Sequence, residues 1–146
     1  MIHKIAIVAS EFNKEITDNL INGAKKEYNL KYGKNLFDVN VDLFFVPGAF
    51  EIPGIIAKIL QSDNKYQSII SFGCVIKGET AHFEYISNSV SKAIMDLNVK
   101  DSVKIPIMFG VLTTYNYEQA LKRSKYIGND IMKSTFNTMK TYENIN

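Results

Sequence analysis

His82 is one of two histidines in a chain of 146 residues, and it closes a stretch whose residue types could carry chemistry. That stretch reads Gly73-Cys74-Val75-Ile76-Lys77-Gly78-Glu79-Thr80-Ala81-His82-Phe83-Glu84-Tyr85. It begins where the apolar run Ser68-Ile69-Ile70-Ser71-Phe72 stops, and ends where Phe83, Ile86, Val90, Ala93, Ile94 and Leu97 recur at helical spacing. In an open α/β sheet, ligands bind at the turn leaving the carboxyl end of a strand. An imidazole at such a turn can exchange protons near neutral pH. Two readings of His82 stand side by side: an acid–base group, or a helix-start histidine bonded to backbone. Thr80, with the backbone of Gly78 and Glu79, either holds an anion at the helix N-terminus or is simply a cap.

Other candidates are fewer. Arg123 is the only arginine, and its planar fork suits phosphate and carboxylate better than lysine does. Glu51, after Gly48-Ala49-Phe50, is either a solvated first-turn carboxylate or an acceptor for ligand hydroxyls. Phe12 and Phe109 each stand at or near a strand end, where an aromatic ring is either core or a stacking surface for a planar heterocycle. Cys74 is the single cysteine, so an internal disulfide is excluded, and its place at the end of a buried strand reads as packing rather than a nucleophile. His3 reads as incidental and Lys77 as a surface charge. No metal-ligand spacing, Walker loop, GxGxxG or GxSxG elbow is present.

The elements that must position these residues follow from the patterning. Ile5 to Ala9 is apolar throughout, as in a strand covered on both faces. Asn13 is placed to cap a helix carrying Ile16, Leu20, Ile21, Ala24 and Tyr28, which Lys31-Tyr32-Gly33 stops. A second strand, roughly Val39 to Val46, ends at Pro47-Gly48, and Pro53 fits the first turn of the next helix. The third strand and the helix after His82 follow. A fourth strand spans Ile105 to Leu112, and a helix begins around Tyr117, with Glu118 and Lys122 spaced to pair. Gly128-Asn129 interrupts before a last helix carrying Ile131, Met132, Thr135 and Met139, and the polar tail from Thr141 frays. Strands alternating with helices imply a four-stranded parallel sheet inside a three-layer α/β/α sandwich.

Composition supports this frame. Residues 1–146 suffice for one domain with a real core, and 46% hydrophobic against 22% charged excludes disorder. A net charge of +2, spread along the chain, favours neither nucleic acid nor membrane. With no signal-peptide pattern and no membrane-length apolar run, a cytoplasmic protein is expected. Helices rich in isoleucine, methionine and aromatics on so small a sheet point to contact with further subunits.

Taken in register, five segments resemble the 6,7-dimethyl-8-ribityllumazine synthase family, nearly end to end. They are Phe12-Asn13; Val46-Pro47-Gly48-Ala49-Phe50-Glu51-Ile52-Pro53; Gly73 through Tyr85; Phe109-Gly110-Val111-Leu112-Thr113-Thr114; and Glu118-Gln119-Ala120. The resemblance implies a flavodoxin-like fold and a step in riboflavin biosynthesis. The family condenses 5-amino-6-(D-ribitylamino)uracil with 3,4-dihydroxy-2-butanone 4-phosphate, without cofactor or metal.

By the same resemblance, Phe12 stacks on the pyrimidine, and Ala49, Phe50 and Glu51 bind the ribityl chain. Backbone groups of Cys74, Val75 and Ile76 read the heterocycle's edge. Glu79, Thr80 and Arg123 hold the phosphate, and His82 moves protons. Phe109 and Arg123 would come from a neighbouring subunit, so the resemblance implies a homo-oligomer built from pentamers, and association with riboflavin synthase. Glu11, Lys77 and Ala81 depart from common family residues. The linker after Arg123 is about two residues short, and Asp130 stands where members often carry a phosphate-contacting lysine. A non-catalytic flavin-binding or assembly-forming relative is the competing reading. A flavodoxin-type FMN carrier lacks its hydroxyl-rich loop here, and a receiver domain lacks its aspartate.

Overall fold

Alternate faces of each strand explain the layers. In the computed structural model, which describes residues 2–63 and 65–145, four strands form one parallel sheet in the order β2-β1-β3-β4. They are β1 (Ile5–Ser10), β2 (Val41–Val46), β3 (Ser68–Ile76) and β4 (Ile107–Thr114). The helices are α1 (Lys14–Tyr32), α2 (Leu36–Asn40), α3 (Ile52–Gln61), α4 (His82–Asn98), α5 (Tyr117–Ser124) and α6 (Ile127–Ile145). Ile5, Ile7, Ile70 and Phe72 face one core with Leu20, Ala24, Ala120 and Met132 of α1, α5 and α6. Ala6, Val8, Ile69 and Val111 face the other, with Ile56 of α3 and Val90 and Ile94 of α4. Every residue of β1 is buried, as its unbroken apolar run requires. The three-layer, flavodoxin-like α/β/α arrangement is therefore the observed one. No helix among the described residues is long and apolar enough to cross a membrane.

Several boundaries differ from the sequence expectation, each for a tertiary reason. Val39 belongs to α2, not to β2. Asn29 Oδ1 accepts from the Phe37 backbone N–H at 2.8 Å, and the buried Phe37 ring meets Tyr28 edge-on, so a short helix forms ahead of the strand. The fourth strand starts at Ile107, because Asn98 at the end of α4 bonds both the N–H and the C=O of that residue. Phe109 accordingly lies inside β4 rather than at its end. Glu118 and Lys122 do not pair in the structure.

Gly128-Asn129 does not interrupt a helix; both residues lie within α6. A Cβ on Gly128 would stand 2.1 Å from the Leu20 carbonyl oxygen, and one on Gly23 would stand 2.3 Å from Asn129 Oδ1. The glycines therefore let α1 and α6 approach closely rather than break the chain. Gly128→Ala should cost about 3 kcal/mol, read as a lower urea midpoint with unchanged slope; an unaltered midpoint would refute this close-approach role.

The segment from Thr141 does not fray, since α6 continues to Ile145. His3 is not incidental either. Its ring bridges the Tyr32 hydroxyl and Glu143, the latter at 2.9 Å, tying the start of the chain to the end of α6. Tyr28 donates to the His3 carbonyl at 2.5 Å, and burial pushes its hydroxyl pKa up to about 12.

Candidate active site

The sheet order reverses direction between β1 and β3, and the chain leaves a crevice where that happens. Pairing of β1 with β3 ends at Ala9↔Phe72, whereas β4 follows β3 as far as Ile76↔Thr114. The last residues of β3 thus overhang with one edge free of any strand. The sequence places the end of this strand at Cys74; it runs on to Ile76. Gly73 lies inside β3, where a Cβ would crowd Ile52 Cδ1 at 3.1 Å and Ser10 Oγ at 3.2 Å.

Backbone alternation decides which groups that edge offers. Lys77 N–H donates to the Thr114 carbonyl on the β4 side at 2.9 Å. Asn13 Nδ2 donates to the Cys74 carbonyl, at 3.5 Å, from the opposite side. Residues alternate along a strand, so Cys74 and Ile76 present backbone to the free edge while Val75 turns its own to β4. Asn13 was expected as a side-chain cap for α1; instead it adopts the left-handed conformation, φ 58°, and its amide spans to β3. Asparagine tolerates that conformation better than most residues, and this is the one signal by which the sequence could have suggested the bridge.

Two bonds beyond the strand ends fix the first wall. Glu11 N–H donates to the Val46 carbonyl at 2.7 Å and Phe12 N–H to the Pro47 carbonyl at 3.0 Å. They hold the Phe12 ring at the crevice, 70% exposed and free to stack. A short 3-10 turn, Ala49–Glu51, forms the second wall. Glu51 Oε1 accepts from Gly48 N–H at 3.0 Å, which leaves its other carboxylate oxygen unpaired among the described residues. One oxygen thereby positions the group and the second remains an acceptor.

These walls enclose a cleft of about 580 Å³. Phe12, Ala49, Phe50, Glu51, Val75, Ile76 and His82 all line it, together with Pro47, Gly48 and Ile86. Ile86 was legible only as a member of the apolar stripe of α4. Its size suits a drug-sized organic ligand.

His82 is the first residue of α4, and its backbone N–H donates to Thr80 Oγ1 at 3.4 Å. The imidazole makes no hydrogen bond to other described residues, so the backbone-bonded reading of its ring is not realised. Glu79 and Thr80 are exposed in the bend before α4 and do not line the cleft. Lys77 lies over the Tyr115 ring, 5.6 Å from its centroid, which links the two loops after β3 and β4.

Cys74 lines the opposite core and is 3% exposed. Burial pushes its thiol pKa up to about 11, so it stays protonated at neutral pH and is a poor nucleophile. A thiol-disulfide reagent at pH 7 should leave Cys74 unmodified in the folded protein and titrate it on unfolding; rapid native reaction would contradict this burial.

Phe109 and Arg123, like Cys74, Glu79 and Thr80, are not among the residues that line the cleft. Phe109, on the edge strand, is 40% exposed. Arg123 sits in the last turn of α5, exposed and with no carboxylate within ion-pair distance among the described residues. Asp130 is exposed in the first turn of α6. Compared with known proteins, the chain is matched over residues 3–143 by a family model described as 6,7-dimethyl-8-ribityllumazine synthase.

Proposed function

The chain belongs to the 6,7-dimethyl-8-ribityllumazine synthase family, a family of riboflavin biosynthesis, and from that premise we propose its reaction and the part of each residue. It condenses 5-amino-6-(D-ribitylamino)uracil with 3,4-dihydroxy-2-butanone 4-phosphate, releasing the lumazine, phosphate and water. The observation that carries this reading is the cleft itself. It gathers a stacking ring, a half-engaged carboxylate, a free strand edge and an unpaired imidazole from four separate parts of the chain.

Each part answers a need of the reaction. Phe12 stacks on the pyrimidine, whose polar edge bonds the backbone of Cys74 and Ile76, the Cys74 carbonyl being shared with Asn13. Val75 packs beneath it. The open oxygen of Glu51 accepts from ribityl hydroxyls, with Ala49 and Phe50 shaping that end. The pyrimidine's 5-amino nitrogen attacks the ketone, and the resulting carbinolamine loses water to give an imine. Phosphate then leaves, and the ribitylamino nitrogen closes the ring with loss of further water. Each step moves a proton, and His82 stands where it can take and return one. Glu79 and Thr80 border the phosphate. Holding two substrates together supplies much of the remaining acceleration.

The site is completed between subunits of a homo-oligomer built from pentamers. A neighbour's Arg123 clamps the phosphate with charge-assisted, bidentate bonds, and its Phe109 covers the heterocycle. The exposure of both residues on a single chain supports this. We also place the protein in the cytoplasm as a single domain, with riboflavin synthase as a partner.

The experiment is lumazine formation followed by absorbance and fluorescence, with both substrates and an enzyme-free control. Clear acceleration is expected. A folded, assembled protein that gives none would overturn the catalytic reading and favour a binding role.

A further inference from the structure

A second cavity, of about 410 Å³, lies at the amino end of the sheet, bounded by the C-terminal ends of α3 and α4 and the 100–105 connection. Its walls include the half-buried Ala57, Leu60, Leu97, Val103 and Ile105, while Lys100 and Lys104 also border it. Neither lysine is within ion-pair distance of a carboxylate among the described residues. Asp42 is engaged elsewhere: Tyr66, which borders the cavity, donates to it at 2.5 Å, and Lys4 approaches it at 3.7 Å. A lysine just past a helix end complements the dipole, which accounts for Lys100 but not for Lys104, well beyond α4.

We propose that this cavity binds a small amphipathic carboxylate, its apolar tail inside and its head between Lys100 and Lys104. Apolar side chains along the cavity wall offer dispersion contacts to a tail. The volume falls within the range of small-molecule sites. Two cations without ion-pair partners among the described residues set the sign of the head group, and lysine serves as a point charge without demanding one geometry. The site is independent of the cleft, which opens at the carboxyl ends of the strands.

Octanoate is the probe, titrated calorimetrically into the intact protein, with octylammonium as the opposite-charge control. Saturable octanoate binding and much weaker octylammonium binding are expected. Lys100→Gln with Lys104→Gln should weaken octanoate about five- to tenfold, and Ala57→Phe, which fills the cavity from α3, should abolish binding while leaving lumazine formation unchanged. No saturable octanoate binding overturns the proposal. Equal affinity for octylammonium, or wild-type octanoate affinity in folded Ala57→Phe or in the double lysine variant, overturns it equally.

Discussion

His82→Ala should slow lumazine formation by about 10²–10⁴-fold at saturating substrates, yet leave a rate above that of the two substrates alone. The imidazole lines the cleft without a hydrogen-bonding partner among the described residues, so its removal takes away a proton carrier without opening the fold. Phe12, Glu51 and the β3 edge remain to hold the pyrimidine, and Glu79, Thr80 and a neighbour's Arg123 to hold the phosphate, so proximity survives the substitution. The effect should therefore fall on kcat, with small changes in either KM. Wild-type and variant rates that coincide at saturation would sink the acid–base role. A large rise in KM at constant kcat would make His82 a binding residue instead.

Arg123→Ala should raise the KM for the butanone phosphate by about 10–100-fold, since hydrogen bonds to charged groups contribute roughly 1.5–3 kcal/mol. The more decisive arm mixes chains. If the site is shared, an assembly containing both His82→Ala and Arg123→Ala subunits regains some interfaces that have both residues intact, about a quarter in a random mixture. Activity above that of either variant alone is the expected result. Local structure prepares this arrangement. Asn116 caps α5 by accepting from Gln119 N–H at 2.9 Å, and Asn19 Nδ2 donates to Ser124 Oγ at 3.0 Å. The helix is thus anchored while Arg123 has no ion-pair partner among the described residues. Mixed assemblies no more active than the parents, with normal oligomer formation, would place Arg123 outside a shared site.

Much of this architecture could be read before folding. An unbroken apolar run at Ile5 to Ala9 implies a strand covered twice, and the burial of all of β1 agrees. The stripe from Ile16 to Tyr28 gave the buried face of α1, and Pro53 stands in the first turn of α3. The motif residues Phe12, Ala49, Phe50, Glu51, Val75, Ile76 and His82 were legible as chemistry-bearing types, and they line one cleft. What misled was glycine. Gly128 reads as a break, because a glycine's absent side chain reads identically whether it frees a turn or admits a neighbour.

Periodicity and residue type are local quantities, so the sequence by itself determined the element types, the faces they bury and the candidate chemistry. Tertiary structure alone decided what depends on contacts distant along the chain. It set how far β3 outruns β1, and so which backbone groups stand free. It kept Asn13 as the N-cap residue of α1 but turned its side chain into a bridge to Cys74, and it engaged one oxygen of Glu51 while leaving the other open among the described residues. It also left Arg123 and Phe109 out of the lining of their own chain's cleft. Strand register and helix approach are settled by packing summed over the whole core, and no single stretch of residues carries that sum.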